Sequence, residues 1–157
     1  MTCVYQKDNV VLKLFDVSEL DFGDFYNWGY NRPLNPKRVD EIKTFYGYNK
    51  IEFVPGIIYA WDYRRENCYY VYDGIHRLMA AKEYAQYKDD ISLKILIQFK
   101  KTDKEEDIVD DFLNINKNIF LPRMYIDALR GYRNFVKFYF PEKEKIAYIS
   151  NHRVFYK

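Results

Sequence analysis

The chain has 157 residues, 48% of them hydrophobic and 31% charged, enough for one domain with its own core and ordinary for a soluble globular protein. Its net charge of +2 supplies no molecule-wide field that would single out nucleic acid or a membrane surface as partner. Two cysteines and two histidines, without zinc spacing, exclude a disulfide framework and a structural zinc centre.

Residues 9–15 (NVVLKLF) predict a first strand. After a loop rich in aromatic and acidic residues, NRPLNPKRVDEIKTFY predicts a helix. Asn35 caps it, Pro36 suits its first turn, and Val39, Ile42 and Phe45 recur at helical spacing. Residues 53–61 (FVPGIIYAW) read as a strand interrupted by Pro55-Gly56, which places it near an edge or at a bulge. The charged turn DYRRE joins it to a strand over 67–72 (NCYYVY), and a helix follows over 75–86. Residues 91–99 alternate Ile91, Leu93, Ile95, Ile97 and Phe99 on one face, the pattern of a half-buried strand. KEEDIVDDFLNINKN begins as a helix with its acids at the favoured end. Pro122 starts a final helix of about four turns, on which Met124, Tyr125, Ala128, Leu129, Tyr132, Phe135, Val136 and Tyr139 share one face. Arg123, Arg130, Arg133 and Lys137 fall together on another.

Charge is segregated along the chain. Residues 123–157 carry 8 basic and 3 acidic side chains, net +5, whereas 101–111 carry 2 basic and 6 acidic, net −4. No repeat, low-complexity tract or Gly/Ser linker marks a boundary, so the expectation is one domain over 1–157, with a core over about 9–100 and a helical extension over about 104–157. The fold class this implies is α+β: a small mixed sheet of about four or five strands with helices around it and a C-terminal helical extension. No run of ~20 apolar residues could span a membrane, and the N-terminus lacks a signal peptide's apolar core. The expected location is therefore intracellular. Tyr, Phe, Asn, Ile and Lys rise together, which fits AT-rich coding and suggests a virus, a phage or an AT-rich microbe; a viral protein would act in the cytoplasm, the nucleus or the virion.

The stretch YYVYDGIHRLMAAKEYAQY (69–87) changes from strand to helix periodicity at Asp73-Gly74. Glycine at such a junction permits unusual backbone angles and close approach of a ligand. The helix that follows offers unpaired N–H groups and a partial positive charge, a ready seat for a phosphate. His76 and Arg77 add a titratable donor and a permanent bidentate charge. The alternative is structural: Gly74 makes the turn and Arg77 pairs with a nearby acid.

VYDGIHRLMAAKEY resembles the Gly-x-His/Arg-Arg-x-x-Ala signature of the ParB/sulfiredoxin superfamily, in the Asp-Gly-x-His-Arg-Leu form of its ParB-like nuclease and DGQHR branches. NRPLNPKRVDEI is similar to the Arg-Pro-Leu segment and following helix of sulfiredoxins, and the order strand, strand, Gly-His-Arg helix, strand is shared over about residues 9–100. FLNINKNIFLP resembles an element that follows the core in the DGQHR branch. The resemblance implies a nucleotide-phosphate site in which Gly74, Ile75, His76 and Arg77 surround the phosphates, Arg32 reaches the same place and Arg38 contacts the nucleotide. It implies an NTP, ATP or CTP, with Mg²⁺ as cofactor. Sulfiredoxin activity is excluded, because Ile75 stands where that family's cysteine nucleophile would be. Glu41 and Phe45 replace the small hydroxyl residues of the sulfiredoxin nucleotide helix, and the chain is too short to add the DNA-binding and dimerisation parts of partition ParB proteins.

The expected function is NTP-phosphate binding, with Mg²⁺-dependent hydrolysis as a further step, in DNA metabolism or virus–host conflict. His76, Arg77, Arg32, Asp73 and Glu41 are the candidate catalytic residues, and Asp73 the candidate Mg²⁺ ligand; Asp73 could equally cap the helix, and Glu41 could simply pair with Arg38. Asn114 and Asn116 read as turn residues and Asp107, Asp110 and Asp111 as a solvated helix face. Arg123, Arg130, Arg133 and Lys137 could track a nucleic-acid backbone, with Tyr148, Phe155 and Tyr156 to stack on bases. The rival readings are a DNA-binding module or nuclease using the same anion site, a non-catalytic interaction protein, and a small-molecule kinase with Glu41 as base. DNA and a second copy of the chain remain open as partners.

Overall fold

The computed structural model describes residues 1–63, 68–87 and 92–116. They belong to two compact units, Met1–Lys101 and Thr102–Lys157. In the first, β1 (Thr2–Lys7) and β2 (Val10–Asp16) form an antiparallel hairpin with Lys7 opposite Val10. Asp8 in the connecting turn takes φ 51°, a left-handed conformation that Asp tolerates better than most residues. Two 3₁₀ turns, Val17–Glu19 and Phe22–Asp24, lead to the three-residue β3 (Phe25–Asn27). Then follow α1 (Pro36–Tyr48), β4 (Phe53–Tyr63), β5 (Cys68–Asp73), α2 (Ile75–Gln86) and β6 (Lys94–Lys101).

The six strands make one mixed sheet in the order β1-β2-β6-β4-β5-β3. β1/β2, β2/β6 and β4/β5 pair antiparallel, and β4/β6 and β3/β5 pair parallel. The fold is thus α+β, with more strands than the sequence suggests. β1 is exposed along its whole length and so carries no hydrophobic alternation, while β3 is too short to show one. β4 is an interior strand, not an edge. Its pairing with β6 shifts register between Phe53 and Ile57, so Pro55 and Gly56 sit in a bulge, where proline's missing N–H leaves no ladder bond unmade.

One face of the sheet is packed by the two helices. Val39 and Tyr46 of α1 and Ile75, Leu78, Ala81 and Tyr84 of α2 join Ile58, Ala60, Val71, Ile95, Ile97 and Phe99 in one buried cluster. Leu93, Ile95, Ile97 and Phe99 are buried as their alternation requires, and Ile91 lies outside the described residues. Phe45 is 54% exposed, contrary to the predicted apolar face, and Tyr46 takes its place. The reason is angular. At about 100° per residue, position 46 returns to within about 20° of position 39, whereas position 45 lies about 120° away.

In the second unit, α3 (Glu105–Ile115) carries Glu105, Glu106 and Asp107 in its first turn. Thr102 Oγ1 accepts the Lys104 N–H at 3.0 Å and donates to Asp107 at 2.9 Å. The helix expected from Pro122, with Arg123, Arg130, Arg133, Lys137 and the aromatic residues Tyr148, Phe155 and Tyr156, lies outside the described residues. Among the described residues no helix is long and apolar enough to cross a membrane.

Candidate functional site

Gly74 occupies the N-cap of α2 at φ 93°, and no side chain caps that helix. Gly56, in the β4 bulge, has φ 78°. Both glycines are needed for the same neighbour. A Cβ at Gly74 would come within 2.9 Å of Arg77 Nη2 and 2.7 Å of Ile58 Cδ1, and one at Gly56 would overlap Arg77 Nη1. The close approach that glycine permits here is therefore made by the protein's own guanidinium. Arg77 Nη1 donates to Pro55 O at 2.7 Å, and Nη2 donates to Ile57 O at 2.9 Å and to Asp73 Oδ2 at 3.1 Å. The planar fork holds the carbonyls of the bulge together with the end of β5.

Asp73 is thereby accounted for. It does not cap α2; its carboxylate pairs with Arg77 one helical turn on. Burial raises its pKa, against the opposing charges of Arg77 and Arg32. Ile75 is 4% exposed and joins the core, so only its backbone faces the junction's chemistry.

His76 links α2 to α1. The Asn35 N–H donates to His76 Nε2 at 3.0 Å, while Asn35 Oδ1 accepts from the N–H groups of Lys37 and Arg38. Asn35 is thus both cap of α1 and donor to the neighbouring helix. A ring nitrogen that accepts must be bare, which assigns the proton of the neutral ring to Nδ1. Burial lowers the imidazole pKa, and the charges of Arg38 and Arg32 lower it further.

The two helices run parallel. Asn35 meets His76 at one end, Lys43 binds Glu83 at 2.8 Å midway, and the rings of Tyr46 and Tyr84 lie 6.1 Å apart further along. Their positive ends consequently coincide, an arrangement that repels unless negative charge is brought to it. Arg32 and Arg38 are exposed beside that end. Arg32 has its backbone held by Asn31 Oδ1 at 2.9 Å and Asn27 Nδ2 at 2.8 Å. Arg38 pairs with Glu41 at 3.1 Å across solvent, so the ion-pair reading of Glu41 holds and the candidate base is already engaged. Further along the helix pair, the Tyr46 hydroxyl is buried without a hydrogen-bond partner among the described residues, and burial pushes its pKa up to about 12 against the opposing Arg77 charge.

The structure thus gathers Arg32, Arg38, Asp73, Gly74, His76 and Arg77 at one end of the helix pair. It turns Arg77 and Asp73 toward each other and leaves Glu41 on the outer surface of α1. Sequence reasoning missed Asn35 as a donor to His76 and Gly56 as a partner of Gly74; the Pro55-Gly56 interruption was the available signal for the second. Asn114 lies within α3 and not in a turn, and Asn116 closes the helix, its Nδ2 donating to Phe112 O at 2.8 Å. Among the described residues, no three His, Cys, Asp or Glu side chains come together as a metal site would need. No family model matches the chain, and no curated protein or solved structure gives a significant match.

Proposed function

We propose that this chain binds the phosphates of a nucleotide at the shared N-terminal end of α1 and α2, in a ParB/sulfiredoxin-like domain. The observation that carries this reading is the parallel pairing of two helix N-termini, one without a side-chain cap, next to Arg32 and Arg38. In it, the first-turn amides after Gly74 cradle phosphate oxygens, Arg32 and Arg38 balance charge, and His76 donates through Nδ1. Arg77 shapes the seat instead of contacting the ligand, because its fork already holds Pro55, Ile57 and Asp73.

The residues present do not fit a protein-held Mg²⁺. Asp73 Oδ2 is bonded to Arg77 and, among the described residues, no three His, Cys, Asp or Glu side chains gather, so the reading is binding, with any metal carried by the phosphates. The kinase reading loses support because Glu41, its base, lies on the outer, exposed surface of α1.

The test is thermal unfolding with ATP, CTP, GTP and ADP, each with and without Mg²⁺. A ligand at about 100 times its Kd stabilises by about 2.7 kcal/mol, which for a chain of this size raises Tm by about 5–10 °C. The shift is expected to vanish in Arg32→Ala and to shrink in Arg38→Ala. No shift with any nucleotide, alongside salt-sensitive binding of an oligonucleotide, would reassign the seat to a nucleic-acid backbone phosphate.

A further inference from the structure

Resting on that phosphate reading, we infer that His76 is a positioning residue that serves an oxyanion only as neutral imidazole: Nε2 latches α2 to the cap of α1 through the Asn35 N–H, and Nδ1–H is left as the ring's one donor for the ligand.

A protonated ring carries N–H on both nitrogens, so Nε2–H would face the Asn35 N–H and the 3.0 Å bond would be lost. That bond sets the first turn of α2 against Asn35, which in turn fixes the start of α1 through Lys37 and Arg38. Protonation would therefore loosen the register of the two helix ends that form the seat.

The surrounding charges oppose a second proton. Arg38, paired with Glu41, comes from the first turn of α1, and Arg32 from the loop before it. Asp73, at the end of β5, would favour protonation, but its carboxylate is bonded to Arg77. Burial and the charges of Arg38 and Arg32 hold the imidazole below its ordinary value, in keeping with this geometry. A ring used this way demands an acceptor of its ligand and offers no proton through Nε2, so the group it recognises is an acceptor oxygen such as a phosphoryl oxygen.

The chain has two histidines, His76 and His152, so the His152→Ala protein presents a single imidazole to NMR. Long-range ¹H–¹⁵N correlation at pH 7 is expected to place the proton on Nδ1 with Nε2 bare. A proton on Nε2, or on both nitrogens, overturns the inference whether or not a ligand binds.

Sulfate, a dianion throughout the range used, is the second probe. Its dissociation constant is expected to change less than about twofold between pH 8 and 6.5, whereas tightening of about fivefold or more would show the imidazolium to be the binding form. His76→Gln, whose amide oxygen can replace Nε2 as acceptor, is expected to melt near wild type while binding sulfate more weakly, and His76→Ala to lose both. A Gln variant that melts as low as the Ala variant overturns the latch. Absence of sulfate binding at every pH, with the Nδ1 tautomer in place, overturns instead the phosphate reading and the ligand half of this inference with it.

Discussion

At Gly56 and Gly74 the backbone stands at φ 78° and 93°, and the space a side chain would fill belongs to the guanidinium of Arg77. Conformation and room are therefore both lost on substitution. Gly56→Ala and Gly74→Ala are each expected to destabilise by about 1–3 kcal/mol in urea unfolding. Arg77→Lys keeps the charge but cannot span Pro55 O and Ile57 O with one ammonium. With the side chain 26% exposed, solvent makes up part of the loss, and about 2 kcal/mol is expected. If Arg77→Lys unfolds like the wild type, the fork does not hold the bulge.

Between elements, Asp16 does for β2 and β6 what Arg77 does for β4 and β5. Its Oδ1 accepts from Ser18, and its Oδ2 accepts from Ser92 Oγ at 2.6 Å and from Lys94 Nζ at 3.1 Å, so the end of β2 is tied to the entry of β6. The Ser92 hydrogen bond, against a burial penalty and helped by Ser18 and Lys94, holds the carboxyl well below the usual carboxylate range. The sign is that of a depressed acid. Its stabilisation is complete above the unfolded-state value of about 3.9 and is lost as pH falls toward the folded-state value. Asp16→Asn is expected to cost about 1 kcal/mol at pH 7 after allowance for solvent screening, with the difference from wild type shrinking in strong acid. A difference that stays constant from pH 7 to pH 2, followed by denaturant titration, would show that charge is not what the tie depends on.

Across the whole first unit, β6 lies between β2 and β4 at the centre of the sheet, pairing Lys13 with Ile97 and Ile58 with the same residue on the other side. Neither Ile58 nor Ile97 is exposed. Because the sheet closes only when distant segments meet, refolding is expected in about milliseconds to seconds, slower than a helical bundle of equal length. Ile97→Ala, at the crossing of those pairings, is expected to cost about 2–5 kcal/mol, read from its folding and unfolding rates. A microsecond folding phase would show that local contacts suffice.

What the sequence determined by itself is periodicity and punctuation. The α+β class, the helix over 75–86, the Asn35-Pro36 helix start and the buried alternation through Phe99 all follow from local spacing, because burial on one face of a strand or helix imprints a period on the chain. The junction at Gly74 was legible for the same reason, and so was the set of charged residues near it. Tertiary structure alone decided what those residues face. That Arg77 turns inward to the carbonyls of Pro55 and Ile57, and that His76 accepts from Asn35, depend on bringing together positions 20 to 41 residues apart. No period encodes a pairing across such distances; it exists only once the parallel helices and the β4 bulge have formed around it.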